Sequence, residues 1–221
     1  ASAEAAGAEV RTGCAVLVIE PGEAGVVVAL ESGERVSGSH AVLACDPFAA
    51  CGLLGRPAVL ASKLEGLRTP GTSLKVNLAL RDLPEVLGED VLGGRHPGAT
   101  PLSGTVHVLP HPRLSPGGGD PFAACERGRR AALRGELPDP FDLMIDVYTH
   151  TAVDGSLRDD SGRHAMSFFV QWVPPGLSEG EAAAYAQRII DGPARVFMPG
   201  LPGLVEEIVA IPPRGIERRF G

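Results

Sequence analysis

Aromatic residues make up only 5% of the 221 residues, and Trp172 is the one tryptophan. The chain's Lys and Arg form no stripe, and the formal net charge is −7, which points away from nucleic-acid partners. Long apolar runs are also missing. None approaches the ~20 residues that cross a bilayer, so no transmembrane segment is expected, although contact with a membrane surface stays open. No signal peptide is read at the start, and the cytoplasm is the default compartment. The four cysteines, Cys14, Cys45, Cys51 and Cys125, form no CxxC pair. Their small apolar neighbours mark them as reduced, buried side chains rather than metal ligands. No GxGxxG occurs, so the chain carries no dinucleotide fingerprint of its own.

What is present points to a packed fold. The composition is 44% hydrophobic and 21% charged, enough for a core in one large domain or one and a half small ones. "GAEVRTGCAVLVIE" predicts a helix stop at Gly7 and a strand over 15–19. "VVVALESGERVSG" turns at "ESGE" and predicts a hairpin. "HAVLACDP" is a continuous apolar run, expected as a buried parallel strand. Asp46 then caps a short helix, 48–54. In "TSLKVNLALRDLP", Leu74, Val76, Leu78 and Leu80 fall on one face, with Lys75 and Asn77, the one asparagine, on the other. Residues 82–119 are rich in Gly and Pro and predict loops, with a strand at "GTVHVLP". A helix follows Asp120 and ends near Gly135. "FDLMIDVYTHT" and "HAMSFFVQWVP" are strands, "SEGEAAAYAQRIIDGPARVF" a helix and "LVEEIVAIPP" a last strand. Residues 1–55 thus form a strand–hairpin–strand module. Residues 56–221 form a mixed sheet, mostly antiparallel, covered by helices. Both ends cut elements, and a segment of a longer protein is expected.

Candidate chemistry has to be weighed against plainer roles. "GLSEG" matches the nucleophile elbow of serine hydrolases, but no histidine follows Ser178 to serve as its base. Ser178 with Glu181 makes a capping box, and that reading is preferred. His107 and His111 are four apart, yet the prolines of "VHVLPHP" exclude the helix that would pair them on a metal. His150 and His164 flank the acidic stretch "TAVDGSLRDDSGR", which lacks the oxygen spacing of a calcium loop and reads as a solvated turn. "PGGGDP" offers a helix N-terminus to a phosphate, but Asp120 sits at the cap and no P-loop lysine follows. Lys75 is open: it lies either on a solvated strand face or toward a closed site.

The motifs "GAEVRTGCAVLVIE", "GVVVALESGERVSGSHAVLACDP", "TSLKVNLALRDLP", "GRHAMSFFVQWVP" and "IPPRGIERRFG", in this order, resemble phytoene-desaturase-like FAD-dependent oxidoreductases. The branch they most resemble is that of pyridine nucleotide-disulfide oxidoreductase domain-containing protein 2. The resemblance implies that 1–55 is part of an FAD-binding domain, its β-meander and returning strand, and that 56–221 is a truncated substrate domain. Val16 matches the position whose backbone meets the adenine, and Ala44, Cys45 and Asp46 the segment passing the flavin. Lys75 matches a lysine that, in related amine oxidases, holds a water beside flavin N5. FAD is the implied cofactor of the full-length protein. Tight binding to this segment alone is not expected, because no glycine-rich turn leads to a helix N-terminus for the diphosphate.

Phe168, Val170 and Trp172 alternate with Phe169 and Gln171, so that strand is apolar on both faces. With Asn77 they are expected to bound a cavity for an apolar substrate oxidised by hydride transfer to flavin. A central core strand without a ligand explains the same residues. The alternative function is a non-catalytic binding or scaffold protein with a degenerate flavoprotein fold.

Overall fold

The computed structural model describes residues 3–55, 58–87, 101–110, 112–115 and 117–220. It is a mixed α/β structure whose strands all pair antiparallel, in two sheets. The chain divides between Thr69 and Pro70 into two compact units.

The first unit is a meander, β1 (Val16–Gly22), β2 (Gly25–Leu30) and β3 (Arg35–Gly38), followed by helices α1 (Pro47–Leu53) and α2 (Ala58–Glu65). The β2–β3 hairpin turns at "ESGE", as its residues predict: Gly33 has φ +85°, and Leu30 N–H donates to Glu34 O at 2.9 Å. Asp46 caps α1, its carboxylate accepting from the N–H groups of Phe48 and Ala49 at 2.8 and 3.1 Å. Arg68 lies over the Phe48 ring, 4.0 Å from its centroid. One expectation fails here. Residues 41–44 form no strand, and Val42 is 94% exposed. A buried parallel strand needs ladder partners, and none of the described strands pairs with this run.

The second unit holds a five-stranded sheet in the order β5-β6-β7-β4-β8. The strands are β4 (Ser73–Leu80), β5 (Val106–Val108), β6 (Met144–Tyr148), β7 (His164–Gln171) and β8 (Val205–Ile211). Helix α3 (Pro121–Leu133) precedes β6, α4 (Glu179–Ile189) follows β7, and α5 (Pro213–Phe220) follows β8. Strand periodicity decides the layers. Leu74, Val76, Leu78 and Leu80 of β4 are buried on the face that also carries Ile145 and Val147 of β6 and Met166, Phe168 and Val170 of β7. Onto it packs α4 through Ala182, Tyr185, Ala186 and Ile189, a helical i, i+3, i+4, i+7 stripe. Fully burying each large side chain here is worth about 1.5–3 kcal/mol, so this layer holds the unit together. The Tyr185 hydroxyl donates to Pro138 O at 2.8 Å, which satisfies its one buried polar atom.

Helix α3 is held differently. Its inner stripe is small, Ala124, Gly128 and Ala132. A Cβ on Gly128 would lie 2.9 Å from the backbone oxygen of Asp142, so the glycine permits the close approach. Buried Asp142 accepts hydrogen bonds from Ser115 Oγ and, at 2.9 Å, from Arg127 Nη2. Gly117 of "PGGGDP" lies against that guanidinium: a Cβ there would sit 2.4 Å from Arg127 Cζ, so the guanidinium would have to shift to admit one. Asp120 caps α3 through Phe122 N–H at 3.0 Å. The described part of this glycine-rich loop therefore packs on Arg127; Pro116 lies outside the described residues.

Candidate functional site

The site is built on the face of the five-stranded sheet turned away from α4. Its residues are set by register alone. Lys75 of β4 is paired with Phe169 of β7, Phe169 with Asp146 of β6, and Asp146 with His107 of β5; on the other side Lys75 pairs with Ile211 of β8. One row therefore runs His107, Asp146, Phe169, Lys75, Ile211. The neighbouring row, two residues along each strand, is Tyr148, Ser167, Asn77, Val209. Cross-strand neighbours on one face have Cβ atoms about 5 Å apart, so each row is a contact line.

Lys75 is half-buried at the centre of this face. Its ammonium donates to the Ser167 hydroxyl at 2.9 Å and lies 5.4 Å from the Tyr148 ring centroid. Among the described residues it has no carboxylate partner. Burial penalises the charged form, and the Lys75 ammonium is held below the ordinary lysine range. The side chain is one of only two lysines in the chain. Asn77 is half-buried beside it.

At the β5 side, His107 and Asp146 meet at 2.6 Å between Nδ1 and Oδ1. The Asp146 side chain is largely buried while the His107 ring is largely exposed. His107 also helps to line a cavity of about 430 Å³ along β5, with Thr105, Val106, Val108, Val86, Leu87 and Phe197. His111 lies outside the described residues.

Other predicted residues fall elsewhere. Phe168 and Val170, expected beside Asn77 in a substrate cavity, are fully buried on the α4 side. The period of two sends 168 and 170 to the face opposite 167 and 169, where Leu74 and Val76 complete the core. Trp172 is half-buried just beyond β7. Val16 opens β1, half-buried and paired with Leu30. Ala44, Cys45 and Asp46 form an exposed segment leading into α1, with Asp46 engaged as its cap.

Ser178 makes the full capping box with Glu181: its hydroxyl accepts from Glu181 N–H, and the Glu181 carboxylate accepts from Ser178 N–H at 3.0 Å. His164 is buried and bonded to the Thr151 hydroxyl at 3.0 Å. His150 stacks on Tyr148, ring centroids 6.3 Å apart. Between His150 and His164, two of the three loop acids are occupied locally. Asp154 accepts from Ser156, and Asp159 from Ser161 and Arg163. Such turns satisfy the carboxylates without a cation.

Sequence reasoning missed Ser167, Tyr148 and the His107–Asp146 pair. The alternation within "MIDVY" and "MSFFV" separates Asp146, Tyr148 and Ser167 from the core residues. The register that joins them to Lys75 links positions 39 and 92 residues apart and is not written in either strand.

No protein-family model matches the chain. Uncharacterized proteins of Mycobacterium tuberculosis and Mycobacterium bovis are 26% identical over 192 residues, covering 83% of this chain and 31% of theirs. The chain thus spans about a third of the length of the curated relatives it matches. Among solved structures, a redesigned double mutant of putrescine oxidase aligns with 86% of this chain and 33% of its own, at 17% identity and a TM-score of 0.40. A tetracycline destructase aligns with 89% and 38%, at 9% identity and a TM-score of 0.29. At those scores neither neighbour fixes the fold. Among the described residues, no helix is long and apolar enough to cross a membrane.

Proposed function

We propose that this chain is the substrate-side part of an FAD-dependent oxidoreductase acting on an apolar molecule, with the Lys75 face of the sheet turned toward the flavin and substrate. The observation that carries the reading is Lys75 itself. A half-buried ammonium, bonded to one hydroxyl and facing no carboxylate among the described residues, is costly on a merely structural face. Such a cation is accounted for by something electron-rich or polar that covers it. The five ordered motifs that resemble phytoene-desaturase-like enzymes supply the identity of that group.

In this reading residues 1–55 belong to the flavin-binding part and 56–221 to the substrate-binding part. Val16 and the segment Ala44, Cys45 and Asp46 offer backbone to the cofactor, and Lys75 holds a water beside the ring. Bound FAD would supply a two-electron acceptor for a hydride. Lys75 positions the polar group next to it, while Asn77 and the apolar ring of Phe169 bound the substrate's place. Trp172 closes the end of β7. Phe168 and Val170 support this face from beneath, as part of the core that keeps β7 rigid.

The test is Lys75→Met in the flavin-loaded protein. Met keeps the stem and removes the charge. Slower flavin reduction or reoxidation with an unchanged circular dichroism spectrum is expected. Unchanged flavin kinetics would remove Lys75 from the cofactor site.

A further inference from the structure

Lys75 does not stay in its own row. Its ladder partner on β7 is Phe169, and beyond Phe169 the row holds Asp146, the carboxylate bonded to His107. The ammonium reaches instead one row over, to Ser167, which is paired with Asn77 and Tyr148. We propose that Ser167 is a positioning residue for Lys75: its hydroxyl holds the ammonium in a row without a carboxylate and sets how readily it gives up a proton. This assignment rests on the reading of the face as the one turned toward flavin and substrate, and adds to it the residue that aims Lys75.

Ser167 is the polar residue of "MSFFV", and it is only 3% exposed. A buried hydroxyl is costly unless it is hydrogen-bonded. Among the described residues, its one side-chain hydrogen bond is the 2.9 Å contact with Lys75 Nζ, and the Lys75 ammonium has no other. Each satisfies the other. Long side chains reach the diagonal neighbour on the next strand, and here the diagonal neighbour carries the acceptor. The side chains of Phe169 and Ile211, level with Lys75, carry none. An ammonium has three donors; Ser167 takes one, and the others are left for the group that covers the face.

The charged groups around Lys75 are engaged elsewhere or carry no weight on it. From β6 it faces the Tyr148 ring, 5.4 Å from its centroid, and Asp146, which is bonded to His107 of β5. On β7 the same face offers Ser167 and Phe169, neither of which titrates. On β8, Glu207 is paired with Ala79 and bonded to Arg163. Helix α5 packs on β4 and β8 and carries Arg214, Glu217, Arg218 and Arg219, with Arg218 bonded to Glu179. Burial, and no neighbouring charge, holds the Lys75 ammonium below the ordinary lysine range. The Ser167 oxygen works the other way: it accepts from the charged form and stabilises it. Without that oxygen, Lys75 should release its proton at still lower pH.

The experiment acylates the chain with an amine reagent across a range of pH, without flavin, and follows Lys75 and Lys63 by mass spectrometry. In Ser167→Ala the Lys75 profile should move to lower pH. Below the lysine range, Lys75 should then react roughly tenfold faster relative to Lys63, about the worth of one hydrogen bond to a charged group. Ser167→Thr keeps the hydroxyl and should keep the wild-type profile. If Ser167→Ala fails to fold, Ser167→Cys keeps the volume, offers a weaker acceptor and should move the profile the same way by less. An unmoved profile, a move to higher pH, or an equal gain at every pH, which reports access alone, overturns the proposal. No flavin enters these measurements. The flavin placement is read from the kinetics of Lys75→Met in the loaded protein, so a failure there is told apart from a failure of the Ser167 assignment.

Discussion

At the residue scale, two side chains show how burial and capping decide roles that pattern left open. His164 is buried against Thr151, and burial, followed by the nearby Arg158 charge, pushes its imidazole below the usual 6.5; Asp82 opposes this weakly. The folded state therefore binds a proton less readily than the unfolded chain. The stability from neutral His164 is fully present above the ordinary imidazole range and is lost as pH falls from about 6.5 toward the lowered folded value. Thermal melts should show a loss of stability across that window that is smaller in His164→Gln; equal slopes in both proteins would remove this account of His164. Ser178 illustrates the second lesson. Its motif suits a nucleophile, yet both halves of the capping box are formed. Ser178→Ala should cost about 1 kcal/mol in urea unfolding and leave any activity in place. Covalent labelling of Ser178 by a fluorophosphonate would contradict it.

At the element scale, the strands and helices were largely legible, and the reasons are local. β4 alternates Leu, Lys, Val, Asn, Leu, and its burial alternates with it. Asp46, Asp120 and Ser178 each precede a helix that they cap. What stayed hidden depends on partners. "HAVLACD" has the composition of a buried strand and forms none among the described residues, because a strand is defined by its ladder and not by its own side chains. Phe168 and Asn77 are neighbours in the ladder scheme but face opposite ways, and only the β4–β7 register reveals that Asn77 meets Ser167 instead. Helix α3 gives the test of element packing. Alanine is the better helix former by about 1 kcal/mol, yet at Gly128 its Cβ would press on Asp142 O at 2.9 Å, a backbone atom. Gly128→Ala should therefore lower the melting temperature, the reverse of the propensity effect. A stabilised variant would mean that α3 does not pack this closely on the Asp142 turn.

For the whole molecule, the sheet of the second unit separates two environments. One face is an apolar layer closed by α4; the other presents Lys75, Asn77, Ser167, Tyr148, Asp146 and His107 around Phe169. A half-buried lysine with no carboxylate partner among the described residues is costly on a merely structural face, and in the proposed reading FAD covers this face in the working protein. The scarcity of lysine makes the claim directly measurable. Lys75 and Lys63, which is exposed on α2, are the only two in the chain, and each can be followed by mass spectrometry after brief treatment with an amine-acylating reagent. With the full-length protein, saturating FAD should protect Lys75 from acylation several-fold, with Lys63 as the internal reference for reagent. Equal acylation of Lys75 with and without bound FAD would contradict the placement of this face against the flavin.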